Sequence, residues 1–193
     1  TKQLFVTGLA NGEHTVYVVA VPKTGYLPSL VYTEFTFTKL SVVTGIKYEG
    51  GKIVWDAVEG AAQYEVSHNG TVKDVTDLTE YTPDPADIMD SNEFAIRPLG
   101  NGTNTISSEN PTAETIDRVA AVTDLGVYDG KLAWTEQSGV TYKAYVDDVE
   151  IEDLTTHTFA GLEPNKYAKI HIYGFKEGMF DSNISNIFYV KKL

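Results

Sequence analysis

An internal repeat limits what this chain can fold into more than any other property. Val43-Thr44-x-Ile46 through Gly51-Lys52-Ile53-Val54-Trp55 aligns without a gap on Val122-Thr123-x-Leu125 through Gly130-Lys131-Leu132-Ala133-Trp134, 79 residues further on. Tyr64 and Tyr142 follow, 78 residues apart. A second alignment, at an offset of 153, joins the two ends: Gly8-Leu9 falls on Gly161-Leu162, and Lys23, Gly25, Ser29 and Phe35 fall on Lys176, Gly178, Ser182 and Phe188. Residues 3–40 thus repeat residues 156–193. A weaker copy of the same tail lies in the middle, with Phe94, Ile96, Gly100 and Ser108 on Ala168, Ile170, Gly174 and Ser182, 74 residues apart. The chain reads as half repeat, whole repeat, whole repeat, with limits at 1–40, 41–117 and 118–193.

Within each repeat the apolar residues alternate, as in Tyr64-x-Val66, Phe94-x-Ile96 and Ala168-x-Ile170-x-Ile172, which gives strands with one face inward and the other toward water. Turn sequences such as Asn69-Gly70, Asn101-Gly102 and Asp129-Gly130 separate them. Only the stretch from Thr82 to Asn92, with Pro83 and Pro85, suggests a helical turn. Short strands at a period of about 75 to 80 residues predict an all-β fold of tandem antiparallel sandwiches, with room for about seven strands in each.

Three segments resemble fibronectin type III modules, of the kind found in bacterial extracellular proteins, within the broader immunoglobulin-like class. One is Trp55 followed by Val58-x-Gly60-Ala61-Ala62-x-Tyr64-x-Val66, with Trp134 to Tyr142 as a looser copy. Another is the corner Leu162-Glu163-Pro164, approximated by Leu9-Ala10-Asn11-Gly12. The third is the closing hairpin with Gly25-x-x-x-Ser29 and Gly178-x-x-x-Ser182. The resemblance implies that Trp55, Tyr64, Trp134, Tyr142 and Leu162 are core residues. It also implies that residues 1–40 supply only the closing strands, E, F and G. Such a piece cannot close a core alone, so either upstream chain or strands from another molecule complete it.

Lys and Arg total 15 against 27 Asp and Glu, a formal charge of −12, which repels phosphate backbones and excludes nucleic acid as an expected partner. No apolar run approaches the roughly 20 residues of a membrane span, so membrane insertion is not expected. The N-terminus carries no signal-peptide pattern, which places any targeting element outside this sequence. With no cysteine, disulfides, thiolate zinc sites and cysteine nucleophiles are excluded together.

Little in the chain suggests chemistry. His14, His68, His157 and His171 have no paired ligand spacing, and no nucleophile elbow, phosphate loop or dinucleotide fingerprint occurs. No cofactor is expected. Asp84, Asp87, Asp90 and Glu93 form the densest group of oxygen ligands and are weak calcium candidates without a regular loop spacing, as are Asp147, Asp148, Glu150, Glu152 and Asp153. Tyr26, Tyr32, Tyr145, Tyr173 and Phe180 are the candidate exposed aromatics for a glycan or protein ligand. The resulting expectation is a non-enzymatic spacer or structural array of an extracellular, cell-surface or phage-structural protein, its partners the neighbouring domains of the same polypeptide. A glycan- or protein-binding adhesion module, or an accessory domain of a surface enzyme, is the alternative.

Overall fold

A computed structural model describes residues 8–128, 131–151 and 165–191. In chain order their strands are β1 (Gly12–Val19), β2 (Tyr32–Lys39), β3 (Lys47–Glu49), β4 (Lys52–Val54), β5 (Gln63–His68), β6 (Thr71–Thr76), β7 (Glu80–Tyr81) and β8 (Ser91–Leu99). There follow β9 (Thr105–Ile106), β10 (Thr112–Asp117), β11 (Gly126–Tyr128), β12 (Lys131–Ala133), β13 (Thr141–Val146), β14 (Val149–Ile151), β15 (Tyr167–Phe175) and β16 (Phe188–Lys191). The sole helical element among the described residues is a 3-10 turn at Pro85–Asp87, inside the segment where the prolines predict one.

Strand order gives the fold. One pair of sheets has the orders β3-β4-β7 and β10-β8-β5-β6; a second pair has the orders β11-β12 and β14-β13-β15-β16. The four-stranded sheets place their strands in the C′, C, F and G positions of a fibronectin type III module, and β3, β4 and β7 take the A, B and E positions. The chain is all-β, built of fibronectin type III-like antiparallel sandwiches. Leu162, with the corner Leu162-Glu163-Pro164, lies outside the described residues, as do His157, Glu152, Asp153 and Asp129-Gly130.

By proximity the chain divides into two compact units, one of Thr1–Lys47, Lys52–Pro83 and Glu93–Thr115, the other of Tyr48–Gly51, Asp84–Asn92 and Ile116–Leu193. In the first, Ile53, Val66, Phe94 and Ile96 are fully buried. Burial of each such side chain stabilises by about 1.5 to 3 kcal/mol. Trp55 and Tyr64 are 5% exposed, and their rings meet edge to face with centroids 5.5 Å apart. The Tyr64 hydroxyl then accepts the Val58 backbone N–H at 2.8 Å, so one side chain closes the core and fixes the turn before β5.

The β5–β6 hairpin turns on Asn69-Gly70, both at positive φ (49° and 75°), the requirement of a type I′ turn. Its register slips between Val66 and Ser67, leaving Lys73 as the extra residue of a bulge on β6. In the β1–β2 hairpin, His14, Val16, Phe35 and Phe37 share a face, because His14 pairs with Phe37 and Val16 with Phe35. Phe37 and Leu40 are buried, whereas Val18 is 62% and Phe35 49% exposed. The hairpin is tied at its buried end. Thr38 and Lys39 pair in parallel with β9, and the Lys39 ammonium, itself buried, reaches Leu9 O at 2.6 Å and Glu109 at 3.0 Å.

In the second unit the core gathers Val122, Leu125, Ala144, Ile151, Ile170 and Ile172, with Leu132, Trp134 and Val190 packed against it. The aromatic clasp recurs there. Trp134 and Tyr142 stand 5.4 Å apart edge to face, and the Tyr142 hydroxyl accepts the Gln137 N–H at 2.7 Å. Gly100 and Gly174, aligned by the repeat, are glycines for one reason, close approach. A Cβ on Gly100 would lie 2.3 Å from Thr105 O, and one on Gly174 would lie 2.9 Å from a Val140 methyl.

Hydrogen bonds revise the tail alignment by gaps that a fixed offset does not allow. Ser107 Oγ accepts the Gly100 N–H as Ser182 Oγ accepts that of Gly174. Ser108 N donates to Pro98 O as Ser185 N donates to Ile172 O. Ser108 therefore corresponds to Ser185, and Ser107 takes the place of Ser182.

The clasp is testable by two substitutions read from urea midpoints. Tyr64→Phe keeps the ring but strips the acceptor from the Val58 N–H and is expected to cost about 1 to 2 kcal/mol. Trp55→Ala empties the core and is expected to cost about 3 to 5 kcal/mol. An unchanged midpoint in Tyr64→Phe would show that the hydroxyl plays no part in stability.

Candidate functional site

Strands β13 and β15 carry two sets of side chains on opposite faces. Ala144, Ile170 and Ile172 enter the core. The alternate residues, Lys143 and Tyr145 on β13 and Lys169, His171, Tyr173 and Phe175 on β15, occupy the other face. Register places Tyr145 opposite His171 and Lys143 opposite Tyr173. The rings of Tyr145 and His171 stack with centroids 5.2 Å apart and 7° between planes. Tyr173 stands edge-on to both, at 5.7 Å and 90° from Tyr145 and at 5.6 Å and 86° from His171. Three rings thus form a right-angled corner. Asp148, Asp181 and Ser182 help to wall a shallow depression of about 500 Å³ over it.

His171 faces away from the core yet is only 4% exposed, and its Nδ1 is buried with no hydrogen-bond partner among the described residues. Burial holds its pKa below the ordinary histidine value; Lys169 pushes the same way and Asp148 opposes in part. Burial also raises the Tyr145 hydroxyl, with Glu150 adding to the effect. For Asp181, burial raises the carboxyl pKa and Lys143 pulls it back. The remaining acids on this face are partnered: Lys143 pairs with Glu150 at 3.0 Å and Lys169 with Asp148 at 3.1 Å.

Asp147 and Asp148 form the β13–β14 turn at φ 50° and 66°, and Asp147 Oδ1 accepts the Lys169 N–H at 2.8 Å. Asn69 Oδ1 does the same for the Glu93 N–H in the first unit, also at 2.8 Å. In each unit a side-chain oxygen, of Asp147 or of Asn69, ties the turn to strand F. Near the other calcium candidates, Asp84 caps the 3-10 turn by accepting the Ala86 N–H at 2.9 Å, and Asp90 offers its carbonyl to the Arg118 N–H. Among the described residues, Asp84, Asp87, Asp90 and Glu93 are not gathered into a metal-holding group, nor is any other set of three or more His, Asp or Glu.

Of the five aromatic candidates, the structure brings together Tyr145 and Tyr173. Tyr26 is 76% exposed, and Tyr32 lies edge-on to Tyr17 at 5.1 Å. Phe180 differs from expectation. It is buried, its ring 4.3 Å from that of Tyr48, a residue far away in sequence. Neither His171, set aside in the sequence for want of a paired ligand spacing, nor Asp181 carries a motif that marks it as part of a site. The signal available for His171 was parity: Lys169-x-His171-x-Tyr173-x-Phe175 interleaves with the apolar series Ala168-x-Ile170-x-Ile172.

No protein-family model and no curated protein matches the chain. Among solved structures it is similar to the central fibronectin-III array of RIM-binding protein, at 14% identity and a TM-score of 0.32, over 80% of this chain and 68% of that one. It is also similar to the FN1-FN3 domains of chicken CNTN1, at 12% identity and a TM-score of 0.32, over 94% of this chain and 75% of that one. The fold assignment rests on strand order and register.

The lowered pKa of His171 has a defined consequence for stability. A histidine whose folded pKa lies below its unfolded value leaves stability intact above that unfolded value, about 6.5, and removes it as the pH falls from there through the folded value. Urea midpoints of the wild-type chain should therefore fall on acidification below about pH 6.5, and His171→Phe should remove that part of the fall. A variant with the full wild-type pH dependence would assign it to another group.

Proposed function

We propose that the chain is a non-catalytic structural array, a spacer within a secreted, cell-surface or phage-structural multidomain protein of the bacterial extracellular kind. In this reading its repeats run over 41–117 and 118–193, with closing strands of a further one over 1–40. Neighbouring domains of the same polypeptide are its partners, and upstream chain or strands from another molecule cover the apolar face that the β1–β2 hairpin exposes at Val18 and Phe35.

The supporting observation is how the segment at the second repeat limit is held within the second compact unit. Arg118 N donates to Asp90 O at 2.8 Å, and its guanidinium donates to Ile88 O at 2.7 Å and to the side chain of Asn183. Phe180 N donates to Asp117 O and Val119 N to Phe180 O, at 3.0 and 2.9 Å. Asn92, fully buried, donates to Ile116 O and Met89 O. A joining segment with buried apolar residues and a donor or acceptor at nearly every step behaves as part of the fold, which is what a spacer requires.

Nitrogen-15 relaxation tests this. Residues 116–122 should show order parameters near those of the strands, about 0.85, and Arg118→Ala should lower them toward about 0.6. Order parameters already low in the wild type would overturn the spacer reading, and hydrolytic activity in the purified chain would overturn its non-catalytic part. The alternative, an adhesion module, draws on the aromatic corner of Tyr145, His171 and Tyr173.

A further inference from the structure

We propose that the corner formed by Tyr145, His171 and Tyr173 is a subsite for a neutral pyranose ring of a glycan, whose hydroxyls are held by the Asp181 carboxylate and by the His171 imidazole. This goes beyond the spacer reading and does not depend on it.

Several observations converge on that occupant. The depression, about 500 Å³, is of small-ligand size. A protein partner would instead need about 800 Å² of surface on each side. Two ring planes meet at a right angle, so one presents a flat apolar wall to the C–H face of a sugar while the other closes the end of the slot. The site also holds polar groups with nothing to bind. Nδ1 of His171 is closed off without a partner, which leaves the ring's other nitrogen to meet a ligand. Asp181 makes no hydrogen bond or ion pair with the described residues, whereas Asp148 and Glu150 are taken up by Lys169 and Lys143.

A carboxylate accepts only, and a neutral imidazole nitrogen donates or accepts according to its tautomer. Hydroxyl groups, which do both, satisfy that pair whichever tautomer is present. A cationic ligand is the rival occupant of an aromatic corner. It would use Asp181 but leave the imidazole unsatisfied. The ammonium groups of Lys143 and Lys169 on this face are neutralised by Glu150 and Asp148, so it is the imidazole and not the local charge that separates the two occupants. The imidazole's neutral state, favoured by burial, is the one that suits an uncharged partner.

The test uses the whole chain, titrated with the methyl glycosides of glucose, galactose, mannose and N-acetylglucosamine, with tetramethylammonium chloride as the cationic counter-probe. Binding is read from nitrogen-15 and aromatic proton NMR spectra. At least one glycoside should shift the signals of Tyr145, His171 and Tyr173. Tyr173→Ala and Asp181→Asn should each weaken that binding by about tenfold, the loss of one wall or one charge-assisted hydrogen bond. Asp181 is exposed, so Asp181→Asn keeps the test intact if Tyr173→Ala fails to fold. The proposal is overturned if no glycoside shifts these signals, if the shifts persist unchanged in Asp181→Asn, or if tetramethylammonium alone binds. Relaxation at 116–122 is measured separately, so failure here and failure of the spacer reading are distinguishable.

Discussion

A tryptophan set edge to face against a tyrosine, whose hydroxyl in turn holds a backbone N–H, is the contact on which both sandwiches depend. Trp55 with Tyr64 and Trp134 with Tyr142 repeat it at nearly the same distance and angle. The ring pair joins the end of strand B to strand C, and the hydroxyl fixes the chain between them at Val58 and at Gln137. Packing and backbone satisfaction are thereby one interaction. Substituting the tyrosine by another apolar residue keeps the first and loses the second. That is why the tyrosine recurs at both places while its neighbours, Glu65 and Lys143, differ.

Much of this was legible in the sequence because it depends on short-range rules. Parity marks strands, Asn-Gly marks a hairpin, and the two prolines mark a helical turn at Pro85–Asp87. What stayed hidden depends on register and on distant partners. Phe180 reads as a loop aromatic, and its burial against Tyr48 arises only when residues 132 apart in number are brought together. The serine correspondence failed for a related reason: a hydroxyl can take over a backbone role one residue early, as Ser107 does at Gly100, and an ungapped alignment has no place for that.

The candidate site shows the same division. Tyr145 and Tyr173 were recognisable as aromatics of the outward parity. Their meeting at His171 depends on the pairing of β13 with β15, which aligns Tyr145 with His171 and not with Tyr173. A shift of two residues along either strand would leave parity intact and disperse the corner. Asp181 comes from a loop and has no parity to read. The site therefore depends on a register that the sandwich core, Ala144 with Ile170 and Ile172, enforces from the opposite face.

The bulge at Lys73 also governs what the outer edge of β6 can do to other molecules. Val72 and Val75 are exposed there, at 53% and 46%, on a strand whose far side pairs with none of the described strands. A flat edge of that composition would template pairing with a second chain. The extra residue breaks the ladder at its middle and sets Lys73 beside Asp74, so that an incoming strand meets a twist and two charges where it needs an even row of donors and acceptors. An array of sandwiches multiplies its edges with every repeat added, and at β6 the bulge keeps one of them from recruiting strangers.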